Sequence, residues 1–178
     1  MIRSDGDAQI IDYGCPGKGI ITNIAVFPGS QISLMEMETN AVFPSNDFEE
    51  DIISINYCFE GRQESEFKDH TISYLPQNHL SVNGTKFLPV SFSFPLKRYK
   101  GISLVIEKGN MDSSTADILS AFGIYIQQIE ERLELDSKGF ICHQTKELDH
   151  LYCELLGLVV LENKPADRLR RIHYGMER

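Results

Sequence analysis

The chain has 178 residues and a mass of 20.2 kDa, with 42% hydrophobic and 24% charged residues and a mean hydropathy of -0.22. At that length a folded chain buries about 70% of its unfolded surface, enough for one globular domain without a disulfide or metal staple. Its 17 basic and 26 acidic residues give a formal net charge of -9, which excludes nucleic-acid binding by this chain as it stands.

No apolar run approaches the roughly 18 residues of a membrane span, so no membrane partner is expected. The opening Met-Ile-Arg-Ser-Asp-Gly-Asp has no basic-then-apolar leader, which makes the cytoplasm the expected compartment. Cys15, Cys58, Cys142 and Cys153 form no CxxC pair and have no His at metal-ligand spacing. They read as reduced thiols, with Cys58 in a strand pattern and Cys153 in a helix pattern.

The apolar period changes once, near residue 110. Before it, short β-rich runs are separated by Gly, Pro, Asn and Asp. Ile20 to Phe27 and Ile32 to Met37 flank Pro28-Gly29-Ser30 as a hairpin. Ile52 to Phe59 reads as an apolar strand, Glu60-Gly61 as a turn, and Arg62 to Phe67 as a weakly alternating strand. Thr71 to Leu75, Leu80 to Val82 and Val90 to Phe94 follow, and Gly101 to Ile106, apolar on both faces, reads as a central strand. Many short strands at this spacing point to a sandwich or barrel of about eight strands.

Beyond residue 110 the period is helical. Ser114-Thr115-Ala116-Asp117 resembles a capping box, and Ile118, Phe122, Ile126, Ile129 and Leu133 share one helix face, interrupted at Gly123 by a bend or a break. A short connector, Gly139 to Cys142, leads to a second helix with a broad stripe of Leu148, Leu151, Tyr152, Leu155, Leu156, Val159 and Val160. Pro165 opens a last basic helix carrying Arg168, Arg170, Arg171 and His173. The expected organisation is a β-barrel over 1–110, a helical segment over 111–163 arranged as an antiparallel pair, and a linker over 164–178.

Catalytic chemistry is not evident. The His residues at 70, 79, 143, 150 and 173 form no HxH, HExxH or Cys/His cluster, so no metal and no cofactor is expected. His70 and His79 flank a strand and a turn and read as surface or edge side chains. No GxSxG, phosphate-loop or dinucleotide fingerprint occurs, and Glu64 and Glu66 in an acidic stretch read as solvated edge charges. No catalytic residue is assigned, and no enzyme is expected.

Three segments carry a resemblance. Ile53 to Arg62 (ISINYCFEGR) and Tyr74 to Val82 (YLPQNHLSV) look like strand-and-turn signatures in the sensor half of AraC-type transcriptional regulators. In the second, Asn78 stands where that family places Gly, a position open to Asn because it tolerates the left-handed region. Ser91 to Ile106 (SFSFPLKRYKGISLVI) is similar to a clostridial-type branch of the same family.

The resemblance spans roughly residues 20 to 160 and rests on packing and turn motifs. It implies a cupin-like jelly-roll barrel that binds a small-molecule effector, such as a sugar, with C-terminal helices that make a homodimer. DNA would be bound only through a helix-turn-helix half that this chain lacks, as in a shortened form of a regulator. The paired-His-and-Glu pattern of metal cupins is absent.

The dimer face is assigned to Leu148, Leu151, Tyr152, Leu155 and Val159, with packing of the same stripe on the barrel as the competing use. Tyr57, Arg62 and Tyr74 are the candidate effector-binding residues; which face of the Tyr57 strand looks inward is left open, and a surface pair with Glu60 or Glu64 competes for Arg62. The alternative function is a stand-alone metal-free cupin, either a sugar isomerase or epimerase or a small-ligand binding protein.

Overall fold

The computed structural model describes residues 1–5, 8–14, 16–45 and 51–160. The eleven strands it describes are β1 (Ile2–Asp5), β2 (Ala8–Asp12), β3 (Lys18–Phe27), β4 (Ser30–Glu38), β5 (Val42–Pro44), β6 (Ile52–Glu66), β7 (Ile72–Pro76), β8 (His79–Gly84), β9 (Ser91–Ser93), β10 (Tyr99–Glu107) and β11 (Phe140–His143). The helices are α1 (Ser113–Ala121), α2 (Ile126–Leu133) and α3 (Lys146–Val160). None of the described helices is long and apolar enough to cross a membrane.

All strand pairings are antiparallel, in the order β1-β2-β3-β4-β10-β6-β8-β11, with β7 and β9 on the far half of β6 and β5 on β9. β10 does occupy a central place, between β4 and β6. The Pro28-Gly29-Ser30 hairpin turns through Gly29 at φ 72°, and the β7–β8 turn is held by Asn78 at φ 61°. Asn78 therefore does the work of a turn glycine.

The segment 52–67 is not two strands and a turn. It is one strand of 15 residues whose first half pairs with β10 and β8 and whose second half pairs with β7 and β9. The β10 register shifts between Lys100 and Gly101, which leaves Phe59 unpaired, and Gly61 follows two residues later at φ 85°. A bulge of this kind adds one residue and turns the strand without ending it. Only glycine fits at position 61, since a Cβ would lie 1.9 Å from the Arg98 carbonyl oxygen.

The helical segment also differs from the expected pair. Gly123, at φ 71°, separates α1 from α2, and Asp112, two residues before the start of the expected capping box, accepts from the Thr115 N–H. The 139–142 stretch is not a plain connector: the alternation of Phe140 and Cys142 with Ile141 and His143 makes β11, which pairs along β8 and closes that side of the sheet. β11 thus stands between α2 and α3 in the chain, and the expected antiparallel helical pair is not confirmed. Ile126, Ile129 and Leu133 of α2 and Tyr152 and Leu155 of α3 pack on one outer face of the sheet. The expected linker, 164–178, lies outside the described residues.

Gly61→Ala places a methyl group against backbone at a left-handed residue. The expected loss exceeds about 1–3 kcal/mol, as read by urea denaturation. A change below about 0.5 kcal/mol is surface-like and contradicts the role given to Gly61.

Candidate functional site

The strands present two chemically opposite faces. On the outer face, Ile24, Ile32, Leu104, Ile55, Val82 and Phe140 face one another across β3, β4, β10, β6, β8 and β11. α2 and α3 cover this surface. One residue along each strand the character inverts: Asn23, Ser33, Ser103, Asn56 and Ser81 lie side by side across five adjacent strands and meet Ile141 of β11. This uncharged polar row lines an open-mouthed cavity of about 170 Å³ inside the barrel.

Asn56 is its hub. The Asn56 Oδ1 accepts from Ser103 Oγ at 2.7 Å and Ser54 Oγ at 3.1 Å, and Asn56 Nδ2 donates to Ser81 Oγ at 3.2 Å. Ser33, Ser54, Ser81 and Ser103 are all buried. Side-chain amides extend the row outward, with Gln31 Nε2 donating to Ser33 and Gln63 Nε2 donating to Ser65, each at 3.1 Å. The buried Gln63 Oε1 has no hydrogen-bond partner.

Tyr13, Phe67 and Phe92 supply aromatic surface, and among the described residues no Asp, Glu, Lys, Arg or His lines the space. Burial pushes the Tyr13 phenol up from its ordinary value, so it is neutral at pH 7. Such a lining offers hydroxyl and amide partners and gives an ionised ligand nothing to pair with. Among the described residues no three His, Cys, Asp or Glu side chains come together as a metal site.

The three residues expected to bind effector do not line this cavity. Tyr57 follows Asn56 and so faces the helices. Its ring stacks on Tyr152 with centroids 4.5 Å apart, and its hydroxyl donates to Asp149 Oδ1 at 3.1 Å. The bulge at Phe59, just before Gly61, reverses the alternation, so Gln63 and Ser65 turn inward while Arg62 turns out. Arg62 binds Glu64 at 2.7 Å and lies over the Tyr74 ring at 5.2 Å, which brings two of the candidates together on the barrel exterior.

Of the assigned dimer face, Tyr152 and Leu155 pack against the barrel, whereas Leu151 is 58% exposed beside an apolar groove it shares with Leu148 and Leu104. The Val159 side chain is outside the described residues. The cavity row itself has a signal in the sequence: Ser or Asn recurs at alternate positions in 54–56, 81–83 and 103, inside otherwise apolar strands. Reading the apolar set as inward-facing conceals it.

No family model matches the chain, and no curated protein sequence does. Among solved structures, ToxT from Vibrio cholerae bound to (E)-4-(8-methylnaphthalen-1-yl)but-3-enoic acid is similar over 83% of this chain and 55% of its own, at 10% identity and a TM-score of 0.50. An RmlC-like cupin from Desulfovibrio desulfuricans is similar over 49% of this chain and 81% of its own, at 11% identity and a TM-score of 0.41. A mutant oxalate decarboxylase from Bacillus subtilis matches 73% of this chain and 38% of its own, at 14% identity and a TM-score of 0.44. The chain thus spans about half the length of ToxT.

Three buried groups give the fold an alkaline limit. Burial raises the Cys58 thiol from 9.0 to about 12 and the Tyr152 phenol from 10.0 to about 12, and burial together with Asp149 raises Tyr57 further. The folded protein holds these protons more tightly than the unfolded chain. Their contribution is therefore complete below the unfolded values and drains away as pH rises through the folded ones. The urea midpoint should fall from pH 9 upward, and Cys58→Ala should delay the onset towards pH 10. An unchanged onset in that variant contradicts the assignment. By similarity at a TM-score of 0.50, the chain shares its fold, an antiparallel β-sheet closed towards a barrel and followed by helices, with the matched part of ToxT.

Proposed function

We propose that this chain is the effector-sensing and dimerising half of an AraC-type transcriptional regulator, and that its effector is a small neutral molecule rich in hydroxyl groups. The observation that carries this reading is the continuous uncharged row of Ser and Asn side chains across five strands inside the barrel. A sugar or polyol matches that row, because each hydroxyl both donates and accepts, and an apolar ring edge can lie on Tyr13 or Phe92. The cavity is small beside the roughly 300–1,000 Å³ of drug-sized sites. The fold match to ToxT, an AraC-type regulator, supports the regulator part of the reading.

In this reading the barrel binds and does not turn over its ligand, since the described residues of its lining carry no acid–base pair of matched groups. DNA binding belongs to a helix-turn-helix half outside this chain. Homodimerisation runs through α3, with Leu148 and Leu151 at the contact and Tyr152 and Leu155 holding the helix to the barrel.

Calorimetric titration with a panel of neutral pentoses, hexoses and polyols should give saturable binding by at least one, with no product formed on prolonged incubation. Asn56→Leu should abolish that binding, because it removes the acceptor and donor on which three serines converge. Product formation, or preference for anionic ligands, overturns the proposal. For the dimer, Leu151→Asp should give a monomer by light scattering with an unchanged circular dichroism spectrum. A wild-type chain that is already monomeric at tens of micromolar contradicts the interface.

A further inference from the structure

One pair of titratable rings lies outside the cavity and has no part in the reading above. His79 on β8 and His143 on β11 are direct cross-strand partners, two rungs beyond the Ser81–Ile141 pair. Their ring centroids are 4.8 Å apart with planes at 68°. The Nδ1 of His79 lies 2.9 Å from the Gln77 carbonyl oxygen, and the Nδ1 of His143 lies 2.9 Å from the Gln144 carbonyl oxygen. A carbonyl only accepts, so both Nδ1 atoms carry the proton, and in the neutral rings both Nε2 atoms present a lone pair. Neither Nε2 has a partner among the described residues.

We infer that His79 and His143 form a binding site for a divalent transition-metal ion of the zinc, nickel or copper class. Three observations agree. Imidazole is the ligand these ions take readily. A backbone carbonyl on the far nitrogen is the outer contact that fixes tautomer and ring orientation at metal-bound histidines. Two imidazoles sharing one ion, with metal–nitrogen distances of about 2.0–2.1 Å, hold their ring centroids about 5 Å apart at a near-tetrahedral angle, close to the separation found here.

His143 is exposed and His79 half-buried, so water completes the coordination. The ion clips the last strand to its neighbour. β11 supplies Ile141 to the cavity wall, and the chain runs directly from it through Gln144, whose N–H donates to the Asn78 carbonyl, into α3. Metal occupancy would thus fasten the cavity wall and the start of α3 together, whatever the barrel binds.

The test is a calorimetric titration of tag-free full chain with Zn²⁺ alone, repeated with Cu²⁺. One equivalent should bind. His79→Gln and His143→Gln should each weaken uptake by at least about tenfold, the loss that even an outer contact can cause at a metal site. His70→Gln, His150→Gln and His173→Gln should leave it unchanged; the first two controls pair instead with Glu66 and Glu154. Copper electron paramagnetic resonance should show hyperfine coupling to two imidazole nitrogens in the wild type and to one in either active variant. No uptake, uptake insensitive to residues 79 and 143, or a single-nitrogen signal in the wild type overturns the site. Because the sugar panel can be run without metal, failure of either idea leaves the other standing.

Discussion

Backbone pairing along β6 is the constraint on which the rest of the molecule depends. This strand hydrogen-bonds to β10 and β8 over its first half and to β7 and β9 over its second, so both walls of the barrel hang on it. A straight strand cannot serve two walls. The bulge at Phe59 makes that possible, and the close approach of the Arg98 carbonyl leaves no room for any side chain at Gly61. Tyr99, fully buried next to this point, packs on Phe94 with ring centroids 4.6 Å apart and fills the corner the bend creates.

The sheet built on that strand buries both faces, with opposite chemistry on each. The outer face takes the hydrophobic load: Ile53, Tyr57, Leu80, Val82 and Ile102 are buried there under α2 and α3. Aliphatic burial at about 25 cal/mol per Å² of apolar surface makes this the stabilising side. The inner face is free to be polar because the outer one is not. Its serines and Asn56 satisfy one another, which avoids the roughly 1–3 kcal/mol penalty of each orphaned buried group and leaves capacity for a ligand. Below the polar row, Ile21, Met35 and Cys58 close the interior with apolar side chains.

Much of the architecture was legible in the sequence, and the reasons for the failures are local. Turn residues such as Gly29 and Asn78 mark hairpins because positive φ restricts which residues fit, and the apolar pattern of 101–106 marks a strand covered on both faces. The 60–61 pair misleads because a bulge glycine and a turn glycine have the same signature. β11 is missed because four alternating residues, Phe140 to His143, resemble a connector when their partner strand lies some sixty residues earlier. For the site, alternation correctly separates Asn56 from Tyr57 but carries no sign for the inside. The sign comes from α2 and α3, which claim the apolar side. Candidates chosen for aromatic or charged chemistry, Tyr57, Arg62 and Tyr74, accordingly fall outside a cavity made of small neutral side chains.

The bulge has one more consequence, which concerns chain length rather than side-chain identity. Beyond Gly61, inward and outward positions are set by a count of residues. A β6 shorter by one residue at the bend, with its far half drawn back by one register against β7 and β9, would turn Arg62, Glu64 and Glu66 into the barrel and expel Gln63 and Ser65. No single substitution alters so many inward positions at once. The neutrality of the interior is therefore written as an arithmetic parity, and an insertion or deletion at this one point would convert the cavity from an uncharged lining to an ionic one.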